Sequence, residues 1–205
     1  MTKIDYNRIM KEETAKLDFR PSLLLHVCCA PCASAVIPVL AKNFEVDLFY
    51  FNPNITDQEE YEKRQNELIR LVGIYNDEKI SQKKINIIPI KYLPSEFYDV
   101  IDGFESEPEG GLRCERCFYL RLEETFAQAA QKGYEYVCST LTVSPHKNAE
   151  IINTIGEELS KNSKVKFLSS DFKKENGYKK SIELSNKYGL YRQNYCGCEF
   201  SKNNK

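Results

Sequence analysis

Eight cysteines occur in this chain of 205 residues, and all but one fall in three short groups. Cys28, Cys29 and Cys32 lie in CCAPC, Cys114 and Cys117 in CERC, and Cys196 and Cys198 in CGC. The thiolate is the nucleophilic and metal-binding form of cysteine, so clustered thiols point to metal or redox chemistry. Two pairs of thiolates could hold either zinc or a four-iron cluster, because both accept four sulfur ligands. Adjacent cysteines such as Cys28 and Cys29 are awkward for a zinc knuckle, whose ligands are spaced apart, and favour the cluster. CGC differs in kind. With a single glycine between them, Cys196 and Cys198 could close only a small, strained disulfide, and strained disulfides are the labile or catalytic ones. A dithiol that closes yields two electrons and two protons; two more metal ligands would be the plainer use of the pair. Cys138, alone in a strand-like run, reads as a small apolar core residue.

Other side chains could meet a substrate. His146 and Lys147, with Ser144, follow the predicted fourth strand and open a helix, where they could reach a nucleoside or a phosphate. Asn52 and Asn54 follow the second strand and could contact a ligand, although plain turn chemistry would also place asparagines there. Tyr191, Arg192 and Tyr195 close a stretch from Tyr178 in which rings alternate with positive charge. Bases stack on such rings and cations meet phosphates, the pattern of a single-stranded RNA surface; an amphipathic helix with solvated lysines would look the same. His26, inside an apolar run, reads as a buried histidine bonded to backbone.

The elements that must position these residues alternate. Strand-like runs cover Ser22–Val27, Glu45–Phe51, Lys84–Ile90, Glu135–Thr140 and Val165–Ser169. Helical stretches cover Ser34–Lys42, Asp57–Val72, Pro94–Ile101, Glu115–Gln131 and His146–Ser160, with Pro38 expected in a first turn or at a kink. The alternation predicts a single α/β domain over 1–205: a doubly wound, mostly parallel sheet of about five strands with helices on both faces. Residues 1–20 read as a helix or arm and 199–205 as a loose tail. Ligands in such folds sit beyond the carboxyl ends of the strands. CCAPC ends the first strand and CERC closes an acidic loop before a helix, so both are expected at that edge, where helix N-termini favour thiolates.

Composition bounds the setting. Hydrophobic residues make up 41% and charged residues 29%, which fits a packed globule. No run approaches the roughly 18 apolar residues of a membrane span, and Met1–Lys16 is charged where a signal peptide would be apolar. A cytoplasmic protein without a membrane role is expected. Disulfides have little support in that reducing compartment, which strengthens the metal and redox readings. The net charge of −1 conceals an acidic segment, 96–124, and a basic one, 161–205, able to meet phosphate.

Three separated motifs, HVCCAPC, RCERCFYLRLEET and YRQNYCGCEFS, resemble the epoxyqueuosine reductases of the QueH family, and the likeness spans nearly the whole chain. The resemblance implies that Cys28, Cys29, Cys114 and Cys117 ligate a 4Fe-4S cluster and that Cys196 and Cys198 form a redox-active disulfide. It implies as substrate the epoxyqueuosine at the wobble position of tRNA, reduced to queuosine in the last step of its synthesis with a low-potential electron donor as further partner. Cys32 could then supply a ligand to a second, mononuclear metal such as iron. The sheet pattern also resembles the PP-loop-like (HUP) scaffold of ATP-dependent tRNA-modifying enzymes, with STLTVSPHKNAE after the fourth strand. Their first loop is rich in glycine and serine to cradle phosphate, whereas CCAPCAS offers thiols and a proline, so ATP binding is not expected. Two other functions fit less of the pattern. A cluster-dependent tRNA sulfurtransferase would bind ATP and leave sulfur in its product; a zinc-stabilised RNA-binding module would hold one zinc and show no brown chromophore.

Overall fold

Successive side chains of a strand point to opposite faces of its sheet, and the first strand shows why helices must cover both. In β1 (Ser22–His26), Leu23 and Leu25 join one apolar core and Leu24 joins another. The computed structural model describes residues 4–202. In it, β1 is central in a five-stranded, wholly parallel sheet of order β3-β2-β1-β4-β5, formed with β2 (Glu45–Phe49), β3 (Ile87–Ile88), β4 (Tyr136–Ser139) and β5 (Lys166–Phe167). Leu25 pairs with Leu48 of β2 on one side and Cys138 of β4 on the other. Cys138 is fully buried in the larger core. The chain is a single doubly wound α/β domain, as its alternation predicts.

Eight α-helices complete the described residues: α1 (Tyr6–Thr14), α2 (Ala30–Leu40), α3 (Gln58–Asp77), α4 (Ser95–Ile101), α5 (Leu112–Lys132), α6 (Ala149–Lys161), α7 (Gly177–Tyr188) and α8 (Glu199–Lys202). Helix α2 packs on α3 and α7, while α5 packs on α6. None is long and apolar enough to cross a membrane.

Several boundaries differ from those predicted. Helix α2 begins at Ala30 instead of Ser34, with Pro31 in its first turn, where no amide hydrogen is needed. Pro38 therefore lies inside the helix. The Ser34 carbonyl, which Pro38 leaves without an amide donor, accepts from the Tyr75 hydroxyl at 2.7 Å. β3 shrinks to two residues at a sheet edge, ending before Pro89, which has no ladder hydrogen to give. His146 does not open α6: Thr140–Val143 form a 3-10 turn, and Asn148 caps a helix that starts at Ala149. Glu199–Lys202, read as loose, form one helical turn, held where the Tyr98 hydroxyl donates to Glu199 at 2.7 Å.

Candidate metal and redox site

The order of strands reverses direction between β1 and β4, and such switch points are where doubly wound sheets bind ligands. Cys28 and Cys29 leave β1 at this point. Cys29 is the N-cap of α2, and Cys32 sits in that helix's first turn. Across the switch point Thr140, which follows β4, accepts from the Cys28 amide at 3.0 Å and donates to Cys28 Sγ at 3.3 Å. The sulfurs of Cys28, Cys29 and Cys32 lie within 4.8 Å of one another, a spacing that could hold a metal ion.

CERC arrives from the other direction. Cys114 and Cys117 lie inside α5, one turn apart, rather than ahead of a helix. Cys114 packs into the apolar cluster that holds Cys28 and Cys29, whereas Cys117 shares a second cluster with Cys198, Phe97 and Ile101. The start of α5 therefore stands between CCAPC and CGC and touches the surroundings of both. Two hollows that share Cys196, His146 and Lys147 open at this edge. One is lined by Cys114, Cys117, Cys196 and Cys198; the other by Cys28, Cys29, Cys32 and Cys196.

The electrostatics follow from thiols crowded away from water. The Cys28 thiol is held well below its ordinary value, because Cys29 and Cys32 hydrogen-bond to its charged form and outweigh burial. Those bonds to Cys28 push Cys29 up to about 11 and Cys32 upward as well. A negative charge is therefore favoured on Cys28 over its two neighbours. Burial pushes Cys117 up to about 12, against the pull of Arg121. Burial would lower the Lys147 ammonium, but the neighbouring sulfurs of Cys196, Cys28 and Cys32 overcome it and raise it. A donor set of thiols alone, with cations beside it, suits zinc or an iron-sulfur cluster.

CGC is fixed by α3. Arg64, buried on that helix, donates to the Cys196 carbonyl at 2.9 Å and pairs with Glu60 at 2.7 Å. Gly197, between the two cysteines, has φ +133, and a Cβ there would come within 2.8 Å of Ile55 Cγ1 and 3.2 Å of Arg64. Only glycine fits at this position.

Residues 23–204 match the family model described as "Epoxyqueuosine reductase QueH". The chain belongs to the QueH family. Relatives named "Epoxyqueuosine reductase QueH" include one from Streptococcus pyogenes serotype M1, 39% identical over 97% of this chain and 78% of its own length. One from Staphylococcus epidermidis is 38% identical over 97% of this chain and 85% of its own. A third, from Thermotoga maritima, is 34% identical over 88% and 90% respectively.

Not every residue singled out in the sequence faces the thiols of this QueH chain. His146, Lys147, Asn54, Arg192 and Tyr195 line the two hollows. Asn52 does not. It is 1% exposed and committed on both sides, donating to the Val27 carbonyl at 2.9 Å and accepting from Arg121 at 2.6 Å. The Tyr191 hydroxyl donates to the Glu60 carboxylate at 3.1 Å and its ring lies under Lys63, so it serves to tie the CGC segment to α3. One Arg192 nitrogen is spent on the Ser181 carbonyl and the Ser185 hydroxyl, both inside α7. His26 bonds to the Phe51 carbonyl at 3.2 Å and to Ser139 at 2.9 Å, as a buried histidine should. Thr140, Arg64 and Arg121 were missed. Arg121 alone carried a signal, standing four residues after Cys117 and so on the same face of α5.

Proposed function

We propose that this chain is a cytoplasmic oxidoreductase that reduces epoxyqueuosine to queuosine at the wobble position of tRNA. The names of its QueH relatives support the reaction, and the meeting of CCAPC, CERC and CGC at one sheet edge carries the assignment to residues. Opening an epoxide to an alkene with release of water consumes two electrons and two protons. Closure of Cys196 and Cys198 to a disulfide would supply both pairs, and a low-potential donor would restore the dithiol.

Cys28, Cys29, Cys114 and Cys117 would hold a 4Fe-4S cluster, with Cys32 free to ligate a second, mononuclear iron. Such a cluster would supply single-electron transfer. Cys28 and Cys29 lie in the tight sulfur group and Cys114 packs beside it from α5, so the four thiolates would come from both motifs.

The chain's own residues do the positioning. Arg64 and Gly197 fix the CGC turn so that Cys196 faces both hollows. Lys147, with its raised ammonium, offers a permanent cation where an oxygen would leave as water or hydroxide. Tyr195 and His146 at the mouth offer surfaces on which an unstacked base could rest. The test is incubation of anaerobically reconstituted protein with epoxyqueuosine-containing tRNA and a low-potential reductant, followed by nucleoside mass analysis. Loss of one oxygen supports the proposal; gain of sulfur, or no change by loaded protein, refutes it.

A further inference from the structure

Arg121 is 1% exposed and carries a guanidinium into the centre of the molecule. Every group that it bonds through its side chain is formally neutral or a thiol. Its Nε faces His26 Nε2 at 3.3 Å, one Nη donates to Asn52 Oδ1 at 2.6 Å, and the other points to Cys117 Sγ at 4.0 Å. Among the described residues no carboxylate forms an ion pair with it. Arg64, the other fully buried arginine beside this site, has the Glu60 carboxylate at 2.7 Å. A buried charge without a counter-charge is strongly unfavourable, so the missing anion must be sought at the thiols.

The geometry aims the charge there. Arg121 follows Cys117 by one helical turn, so α5 presents guanidinium and thiol on one face. Asn52, which holds one Nη, also donates to the carbonyl of Val27, the residue before Cys28. The guanidinium is thereby fixed relative to both thiol-bearing motifs, and it lines the hollow that contains Cys28, Cys29 and Cys32. A metal held by thiolates is itself anionic: four thiolates exceed a dication by two negative charges.

We propose that Arg121 is a positioning residue that acts as the buried counter-charge of the thiolate-bound metal and sets how readily that metal accepts an electron. The inference rests on the metal reading above. A fixed positive charge beside a redox centre favours the reduced state, so its removal makes the reduction potential more negative. A merely structural Arg121 would act by cross-linking the ends of β1, β2 and α5. Lysine separates the two roles, because it keeps the charge and cannot reproduce the guanidinium's fork between Asn52, His26 and Cys117.

The experiment compares Arg121→Met and Arg121→Lys with wild type in two measurements on the full chain: optical titration of the metal-free protein with cobalt(II), and a redox titration of the anaerobically reconstituted protein. For Arg121→Met we expect cobalt(II) bound at least tenfold more weakly and a midpoint at least 59 mV more negative, the one-electron equivalent of tenfold. Arg121→Lys should lie nearer to wild type than Arg121→Met does; if the methionine variant does not fold, the lysine variant must still keep its midpoint within 59 mV of wild type. Wild-type loading with both variants unchanged, or a lysine variant shifted as far as the methionine one, would overturn this inference alone. A wild type that takes up neither cobalt nor iron at these thiols would overturn the metal reading and this inference with it.

Discussion

The Arg64 guanidinium reaches from helix α3 to the main-chain oxygen of Cys196, 2.9 Å away, across 132 residues of sequence. Its Nε is occupied by Glu60, whose carboxylate also accepts from the Tyr191 hydroxyl. One ion pair thus anchors both ends of the segment that carries Cys196 and Cys198.

Replacing Arg64 by methionine should therefore loosen CGC without touching CCAPC or CERC. Glu60 would be left part-buried with only Tyr191 as donor, a loss of about 3 kcal/mol or less. Urea unfolding should report that loss, and turnover should fall while iron content stays at the wild-type level. Unchanged stability and turnover would show that the contact has no role.

Thr140 supports Cys28 in two ways, accepting from its amide and donating to its sulfur. Thr140→Val keeps the shape and removes both bonds. The buried Cys28 amide would then lack a partner, which costs about 1–3 kcal/mol in thermal unfolding. With Cys28 as a ligand of the proposed cluster, loss of a hydrogen bond to its sulfur should also move the midpoint potential to more negative values in a redox titration. Thr140→Ser should restore both properties; a serine variant as impaired as valine would count against the hydroxyl.

His26 makes stability pH-dependent. Its imidazole is lowered from 6.5 to about 3, first by burial and then by the Arg121 charge. Between those values the unfolded chain binds a proton that the folded chain does not, so stability falls as pH falls through that window. The slope is at most about 1.4 kcal/mol per pH unit, and above the unfolded value this contribution no longer changes with pH. Metal-free wild type should lose stability below pH 6.5 more steeply than metal-free His26→Gln. Parallel acid profiles in urea titrations would contradict the assignment.

The gathering of the thiols was legible because it follows from coarse features. Strand and helix alternate, a parallel sheet puts every strand's end on one edge, and CCAPC lies at such an end while CERC opens a helix. Tertiary partners decided the rest. Helix α2 runs through Pro38 because Tyr75, far along the chain, satisfies the Ser34 carbonyl. Arg64 lies in a charge-rich helix, and its burial depends on Glu60 and the returning CGC segment. Asn52 looked like a residue at a ligand's edge and is instead consumed by Val27 and Arg121. The strand at KINIIPI was read correctly but too long, because its composition is that of a full strand while Pro89 and an edge position limit its pairing to Ile87–Ile88.

Iron and sulfide content across single cysteine variants tests the division of labour most directly. Cys28→Ala, Cys29→Ala, Cys114→Ala and Cys117→Ala should each lose the brown chromophore and most of their iron. Cys196→Ala and Cys198→Ala should keep both and stop turnover. Iron lost equally from all six, or retained in Cys114→Ala and Cys117→Ala, would contradict a cluster held by CCAPC and CERC beside a separate dithiol.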